Sequence, residues 1–224
     1  MNLDKNQAVL QSRTDAGALT TNKVLRNTYL LLSMTLLFSG LTAAFAVVTN
    51  APFLGLLTLA IYFGLLFATS ALRNSVWGIV MVFALTGFLG YTLGPVLNVY
   101  LSMPGGAEIV MLALGGTGII FLALSGYVLA TGKDMSFMAG FLMVGILVAF
   151  LASLAAFLFS IPALALAVSA MFIVLMSMLI MYQTSEIIHG GETNYIMATV
   201  TLYVALFNLF QSLLMILGIF GGDD

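Results

Sequence analysis

The stretch from Thr28 to Leu72, TYLLLSMTLLFSGLTAAFAVVTNAPFLGLLTLAIYFGLLFATSAL, contains no charged residue, and a second uncharged stretch runs from Met135 to Ser185. Charged residues make up 6% of the chain, against roughly a quarter in soluble domains. Hydrophobic residues make up 62%, and the mean hydropathy is +1.18. Because a charge in hydrocarbon costs several kcal/mol, charges collect at the ends of membrane spans. The pattern predicts an all-α protein that crosses a membrane several times.

Seven apolar runs follow one another, each close to the ~20 residues that cross a bilayer as a helix. They are Thr28–Val48, Pro52–Leu72, Val76–Val96, Ile109–Ala130, Ser136–Phe159, Ile161–Tyr182 and Tyr195–Gly218. Short breaks rich in Pro, Gly, Asn and Ser separate them, so we expect sequential helices to be antiparallel neighbours. The sequence predicts one seven-helix transmembrane bundle over residues 28–218. A disordered tail (1–27) precedes it, and a short tail (219–224) follows.

The last run differs from the others because it carries one small and polar face. Thr201, Ala205, Asn208 and Ser212 recur at helical spacing. Such a face is costly against lipid and should turn toward protein. We therefore expect the bundle to wrap around a central C-terminal helix, with Asn208 hydrogen-bonded to neighbouring helices. Replacing Asn208 by Leu should then lower stability.

Basic residues predict the orientation through the positive-inside rule. They are Lys5, Arg13, Lys23, Arg26, Arg73 and Lys133. With seven spans and a cytoplasmic N-terminus, all six lie on the cytoplasmic side and the C-terminus is periplasmic. Six spans with a re-entrant last segment would move only the acidic C-terminus, so that alternative stays open.

Several functions are disfavoured by composition. A net charge of −2 offers no basic face for nucleic acid. The chain has no cysteine, which removes thiolate metal ligands and a cysteine nucleophile. It also has no HExxH, no phosphate-binding loop and no recognisable catalytic triad, so we predict neither an enzyme nor a cofactor. The triplet Ala44–Ala46 looks like a signal-peptide cleavage site, but the long polar segment before it favours an uncleaved first span.

Two polar groupings each allow a functional and a structural interpretation. Glu186, His189 and Glu192 have a spacing that could hold a metal ion on one helix face, but Gly190-Gly191 should interrupt a helix there. We interpret them as a solvated loop and predict no metal site. Gln183, Asn208 and Gln211 could line a hydrophilic path, although hydrogen bonding between helices is favoured because no carboxylate lies at membrane depth.

The third and fourth runs contain GFLGYTLGPVL (87–97) and ALGGTGIIF (113–121), and KDMSF (133–137) follows. These stretches resemble the Bax inhibitor-1 (transmembrane Bax inhibitor motif) family over nearly the whole chain. The resemblance implies a seven-helix bundle around the last helix. The positions that carry the motif are Gly90, Gly94, Pro95, Leu97, Ala113, Thr117, Gly118 and Phe121.

Two further stretches, KVLRNTY (23–29) and IIHGGETNYI (187–196), resemble bacterial members of that family that modulate the FtsH protease. This implies an inner-membrane protein that binds a membrane-anchored, ATP-dependent protease. The N-terminal tail, with Lys5, Arg13, Lys23 and Arg26, is then the expected contact. A calcium leak is the alternative activity that the family implies.

Members of the family with leak activity carry two aspartates that share protons as a pH latch. Their positions correspond here to Gln183 and Ala205. Glu186, one turn beyond Gln183, could replace one acid but not both, while Asn208 matches a polar position in the family's last helix. We therefore predict that this chain has no diaspartyl latch.

Overall fold

Seven α-helices and one short 3-10 turn make up the computed structural model, which describes residues 2–221, with side chains from Thr21 onward except that of Phe220. The helices are α1 (Asn2–Val48), α2 (Leu57–Leu72), α3 (Val76–Leu101), α4 (Gly106–Thr131), α5 (Ala139–Leu158), α6 (Pro162–His189) and α7 (Tyr195–Phe220). The turn covers Ser136–Met138. Six helices are long and apolar enough to cross a membrane, and α2 is a shorter apolar helix. The prediction of an all-helical membrane protein is confirmed.

The helix bounds correct three parts of the sequence prediction. Helix α1 begins at Asn2, so the structure describes residues 2–27, which were expected to be disordered, as helical. Helix α2 begins at Leu57 rather than Pro52, because Gly55 has a φ of +55° that ends any earlier helical turn. Its 16 residues span only about 24 Å.

Helix α6 corrects the third expectation, because it continues past Tyr182 to His189. The segment Glu186–His189 is therefore helical and not a loop. The helix ends at Gly190, whose φ of +77° allows the amides of Gly191 and Glu192 to bond the carbonyl of Glu186. Pro162 lies in the first turn of α6, where proline is tolerated because the first amides of a helix have no partner within it.

Sequential helices are not always neighbours, contrary to the expectation from the short connections. Helix α1 packs against α3, α6 and α7, and α4 packs against α3, α6 and α7. Helix α2 packs closely against α3 and reaches α5 through the rings of Phe63 and Phe150, 6.0 Å apart. Helix α7 packs against α1, α3, α4 and α6, and its Leu202, Tyr203 and Leu209 are fully buried.

Glycines set the closest approach between helices. A Cβ atom added at Gly90 would collide with the Ser39 carbonyl and the Thr42 hydroxyl of α1, and one added at Gly94 would collide with Ala46. These glycines therefore let α1 and α3 touch through their backbones, which is the role that small residues play between membrane helices.

Candidate functional site

All basic side chains that the structure describes lie at one end of the bundle, which we call the basic end. Thr199, near the start of α7, donates to the carbonyl of Thr28 at 3.3 Å, which fixes where α1 enters. Lys23 and Arg26 precede that point in α1, while Arg73 ends α2 and Lys133 follows α4. Lys5 and Arg13 lie outside the residues with described side chains.

Two connections are tied together at the basic end. The Asn194 carboxamide donates to the Arg73 carbonyl at 3.1 Å and to Asn74 Oδ1 at 2.9 Å, which joins the α6–α7 connection to the α2–α3 connection. Asn194 also caps α7, because its Oδ1 accepts from the amides of Ile196 and Met197. One side chain thus fixes both a helix start and a neighbouring turn.

The α4–α5 connection is held against α6 by two side chains. Ser185 Oγ accepts from the Met135 amide at 2.9 Å and lies 3.3 Å from the Lys133 carbonyl. His189 places Nδ1 2.9 Å from the Ser185 carbonyl and Nε2 3.1 Å from the Gly132 carbonyl. The His189 ring therefore links α6 to the α4–α5 connection. In the part of the chain that the structure describes, no three His, Asp or Glu side chains lie close enough to share a metal ion.

Asp134 precedes the Ser136–Met138 turn in this same connection. Its Oδ1 accepts from the Ser136 amide at 2.8 Å. This bond, with smaller contributions from the Ser136 side chain and from His189, lowers the pKa of the Asp134 carboxyl below its usual 3.8. The carboxylate form therefore stabilises the turn.

Inside the bundle, three hydroxyl groups meet near the basic end. Tyr29 of α1 donates to Ser125 Oγ of α4 at 2.9 Å, and Ser125 lies 3.1 Å from Thr184 Oγ1 of α6. Thr184 in turn donates to the Ile180 carbonyl at 2.8 Å. The sequence prediction did not include this triad, because it considered only carboxylates and carboxamides as polar groups at membrane depth. The triad's only mark in the sequence is a single hydroxyl residue in each of three apolar runs.

A second buried polar contact lies deeper. The Tyr203 hydroxyl of α7 donates to the Thr86 carbonyl of α3 at 3.1 Å and also bonds Ser39 Oγ of α1. Tyr203 is 1% exposed. Because the hydroxyl is buried away from water, it must bond groups of the protein. It therefore joins α1, α3 and α7.

The two positions that match the family's aspartate pair are both in the core. Gln183 is 5% exposed and its Nε2 has no hydrogen-bond partner, while Ala205 is fully buried. Glu186 is half-buried at the end of α6. We expected Asn208 to bond a neighbouring helix, and this prediction is wrong. Its Nδ2 donates to the Val204 carbonyl of its own helix at 2.8 Å. Asn208 also lines a cavity between α2 and α5.

The motif residues of α3 and α4 divide between packing and a second cavity. Ala113 is fully buried beside Leu93 and Leu214, and Leu97 packs against that cluster. A cavity of about 620 Å³ between α1 and α4 is lined by Leu97, Thr117, Gly118 and Phe121, among others. We call it the α1–α4 groove. Pro95 lies within α3 and lines a separate hollow near α2.

This architecture defines the chain as a helical membrane protein whose buried polar groups are largely uncharged. It belongs to the family described as inhibitor of apoptosis-promoting Bax1 (Bax1-I), whose sequence profile matches residues 21–222. The resemblance seen in the motifs of α3 and α4 is thereby confirmed.

Close relatives occur in several bacteria. The chain is 52% identical over 219 residues to an Escherichia coli K12 protein named modulator of FtsH protease YccA, covering 97% of this chain and all of that one. The same identity and coverage hold for a protein named inner membrane protein YccA from Escherichia coli O6:H1. A Pseudomonas aeruginosa protein named as uncharacterized is 51% identical over 220 residues, covering 98% of this chain and 96% of its own.

Proposed function

We propose that this protein is a non-enzymatic inner-membrane protein that binds an FtsH-type, membrane-anchored, ATP-dependent protease and limits its action on membrane proteins. The observation that carries the proposal is the 52% identity, over the full length of both chains, to the Escherichia coli protein named modulator of FtsH protease. The chain then spans the bilayer seven times around α7, with the basic end in the cytoplasm. The clustering of Lys23, Arg26, Arg73 and Lys133 at one end supports this orientation.

In the proposed mechanism, the protease grips the start of α1, and the packing of the rest of α1 in the bundle resists extraction. The first turns of α1, with Lys5 and Arg13, are offered to the protease at the cytoplasmic surface. Pulling on them loads the contact of α1 with α3, where Gly90 and Gly94 bring the backbones together. Extraction would also break the Tyr29 and Tyr203 hydrogen bonds and expose apolar side chains to water, at ~0.8 kcal/mol per CH₂. The protease is then occupied by a substrate that it removes slowly.

The direct test is co-purification from solubilised membranes, with the full chain and with a deletion of residues 2–20. We expect the protease to be enriched with the full chain and lost with the deletion, and turnover of its membrane substrates to rise when the tail is absent. A matched control keeps the tail length but replaces Lys5 and Arg13 by Gln, which separates charge from length. If no protease is enriched and the deletion leaves turnover unchanged, the proposal fails.

A calcium leak remains the second activity implied by the family. No carboxylate lines the cavities described among residues 21–219, and the latch positions hold Gln183 and Ala205. We therefore expect calcium flux in proteoliposomes to show no steep rise between pH 8 and pH 6. Such a rise would count against this assignment.

The orientation has a separate test. A reporter fused after Asp224 should report the periplasm, and one fused at Lys133 should report the cytoplasm. A cytoplasmic signal from the C-terminal fusion would instead favour six spans with a re-entrant last segment.

A further inference from the structure

A lateral opening lies between α2 and α5, with α3, α6 and α7 as its floor. Its volume is about 770 Å³, and it joins a smaller hollow of about 310 Å³ near the start of α2. The backbones of α2 and α5 do not pack together, and Phe63 and Phe150 bridge them by an edge contact. We call the two cavities together the α2–α5 groove. Volumes of this size are typical of sites for small organic ligands.

Uncharged polar side chains line this groove at membrane depth. They are Thr58, Tyr62, Thr92, Ser153, Asn208 and Gln211. Thr92 and Asn208 donate to carbonyls of their own helices, which leaves their oxygens able to accept. Among the described residues 21–219, the side chains of Thr58, Ser153 and Gln211 have no hydrogen-bond partner. Because such groups are costly in hydrocarbon, the groove should contain something that bonds them.

The groove contains no Lys, Arg, His, Asp or Glu among its described lining residues. Hydroxyls and a carboxamide suit neutral partners such as ester carbonyls and alcohols. A phosphate or a metal ion would instead require charged ligands. The chemistry therefore selects an uncharged hydrogen-bonding group.

The polar side chains of the groove lie toward one end of the bundle axis, among apolar side chains such as Phe53 and Phe157. Thr58, in the first turn of α2, and Gln211, in the last three turns of α7, lie away from the basic end. Met143 and Leu147, in the first half of α5, line the part nearer the basic end. Met143 is 79% exposed, so the apolar part opens sideways to lipid. This gradient matches a molecule with a polar end and an acyl chain.

We propose that the α2–α5 groove binds one membrane lipid through its uncharged glycerol–ester region. The ester and hydroxyl groups bond Gln211, Ser153 and Thr92, and the acyl chain runs along Met143 and Leu147. The site is independent of protease binding, so loss of one activity leaves the other to be measured.

The test uses the purified full chain in detergent and monoolein, a neutral lipid with one ester, two hydroxyls and one acyl chain. Native mass spectrometry should detect one bound monoolein per chain. The Gln211→Met and Ser153→Ala double variant, which keeps the volume at position 211, should weaken binding about tenfold. The control Thr117→Val lies in the α1–α4 groove, where its hydroxyl already donates to Ala113 at 2.7 Å, and should bind as the original does. Equal binding by all three proteins, or equal loss in the control, would overturn the proposal.

A second measurement distinguishes lipid from water in the groove and needs only a small substitution. The chain has no cysteine, so a Ser153→Cys variant carries a single thiol. In lipid vesicles this thiol should resist a membrane-impermeant thiol reagent, while a Ser102→Cys variant, at an exposed connection, should react. Reaction of both variants at similar rates would mean that the groove is filled with water, and would refute the lipid site.

Discussion

Substituting Gly90 by Ala tests whether the backbone contact between α1 and α3 stabilises the bundle. The new methyl group would collide with the Ser39 carbonyl, which cannot rotate away as a side chain can. Overpacking of this kind costs about 1–3 kcal/mol. Alanine gains about 0.5–1 kcal/mol over glycine in a helix, so the expected net loss is about 0–2.5 kcal/mol, with a midpoint slightly above 1 kcal/mol.

Gly40 provides the matched control, because it lies in α1 and a Cβ atom there meets nothing within 4 Å. Gly40→Ala should therefore leave stability unchanged or raise it by up to ~1 kcal/mol. Thermal unfolding of both variants in the same detergent gives the comparison. A Gly90→Ala protein as stable as Gly40→Ala would refute the close approach of α1 and α3 described above.

Three more predictions follow from buried or capping groups. Tyr203→Phe should cost about 1–2 kcal/mol in thermal unfolding. Combining it with Ser39→Ala should add little, because the bond between Ser39 and Tyr203 is already lost in Tyr203→Phe. The Asp134 carboxylate stabilises the α4–α5 turn above its unfolded pKa, and this is lost as pH falls through the lowered folded pKa. Amide-exchange protection of the turn should therefore fall at pH values below about 3.8, and Asp134→Ala should abolish that step. Asn208→Leu should change stability by less than ~0.5 kcal/mol, since the Asn208 carboxamide bonds its own helix. A larger loss in thermal unfolding would mean that Asn208 bonds a neighbouring helix.

The sequence predicted the helices well where charge and apolar length control structure. It misplaced the ends of α2 and α6 because backbone conformation at Gly55 and Gly190, rather than hydropathy, determines where those helices start and stop. The sequence also did not predict which helices pack together. A short connection limits how far apart two sequential helices can lie, but it does not determine which helix faces pack against each other. The hydroxyl triad of Tyr29, Ser125 and Thr184 depends on three helices meeting, and a periodicity on one helix cannot reveal it.

Helix α2 has a consequence for the surrounding bilayer. At about 24 Å it is shorter than the ~30 Å hydrocarbon layer, whereas α3, with 26 residues, is about 39 Å long. In the proposed seven-span arrangement, lipids beside α2 must thin or tilt to meet its ends, at a cost of fractions of a kcal/mol per Å of mismatch. The protein would then carry a permanently deformed patch of membrane on one flank. Its distribution between thick and thin bilayers, and its tendency to gather beside other short helices, should follow from that flank alone.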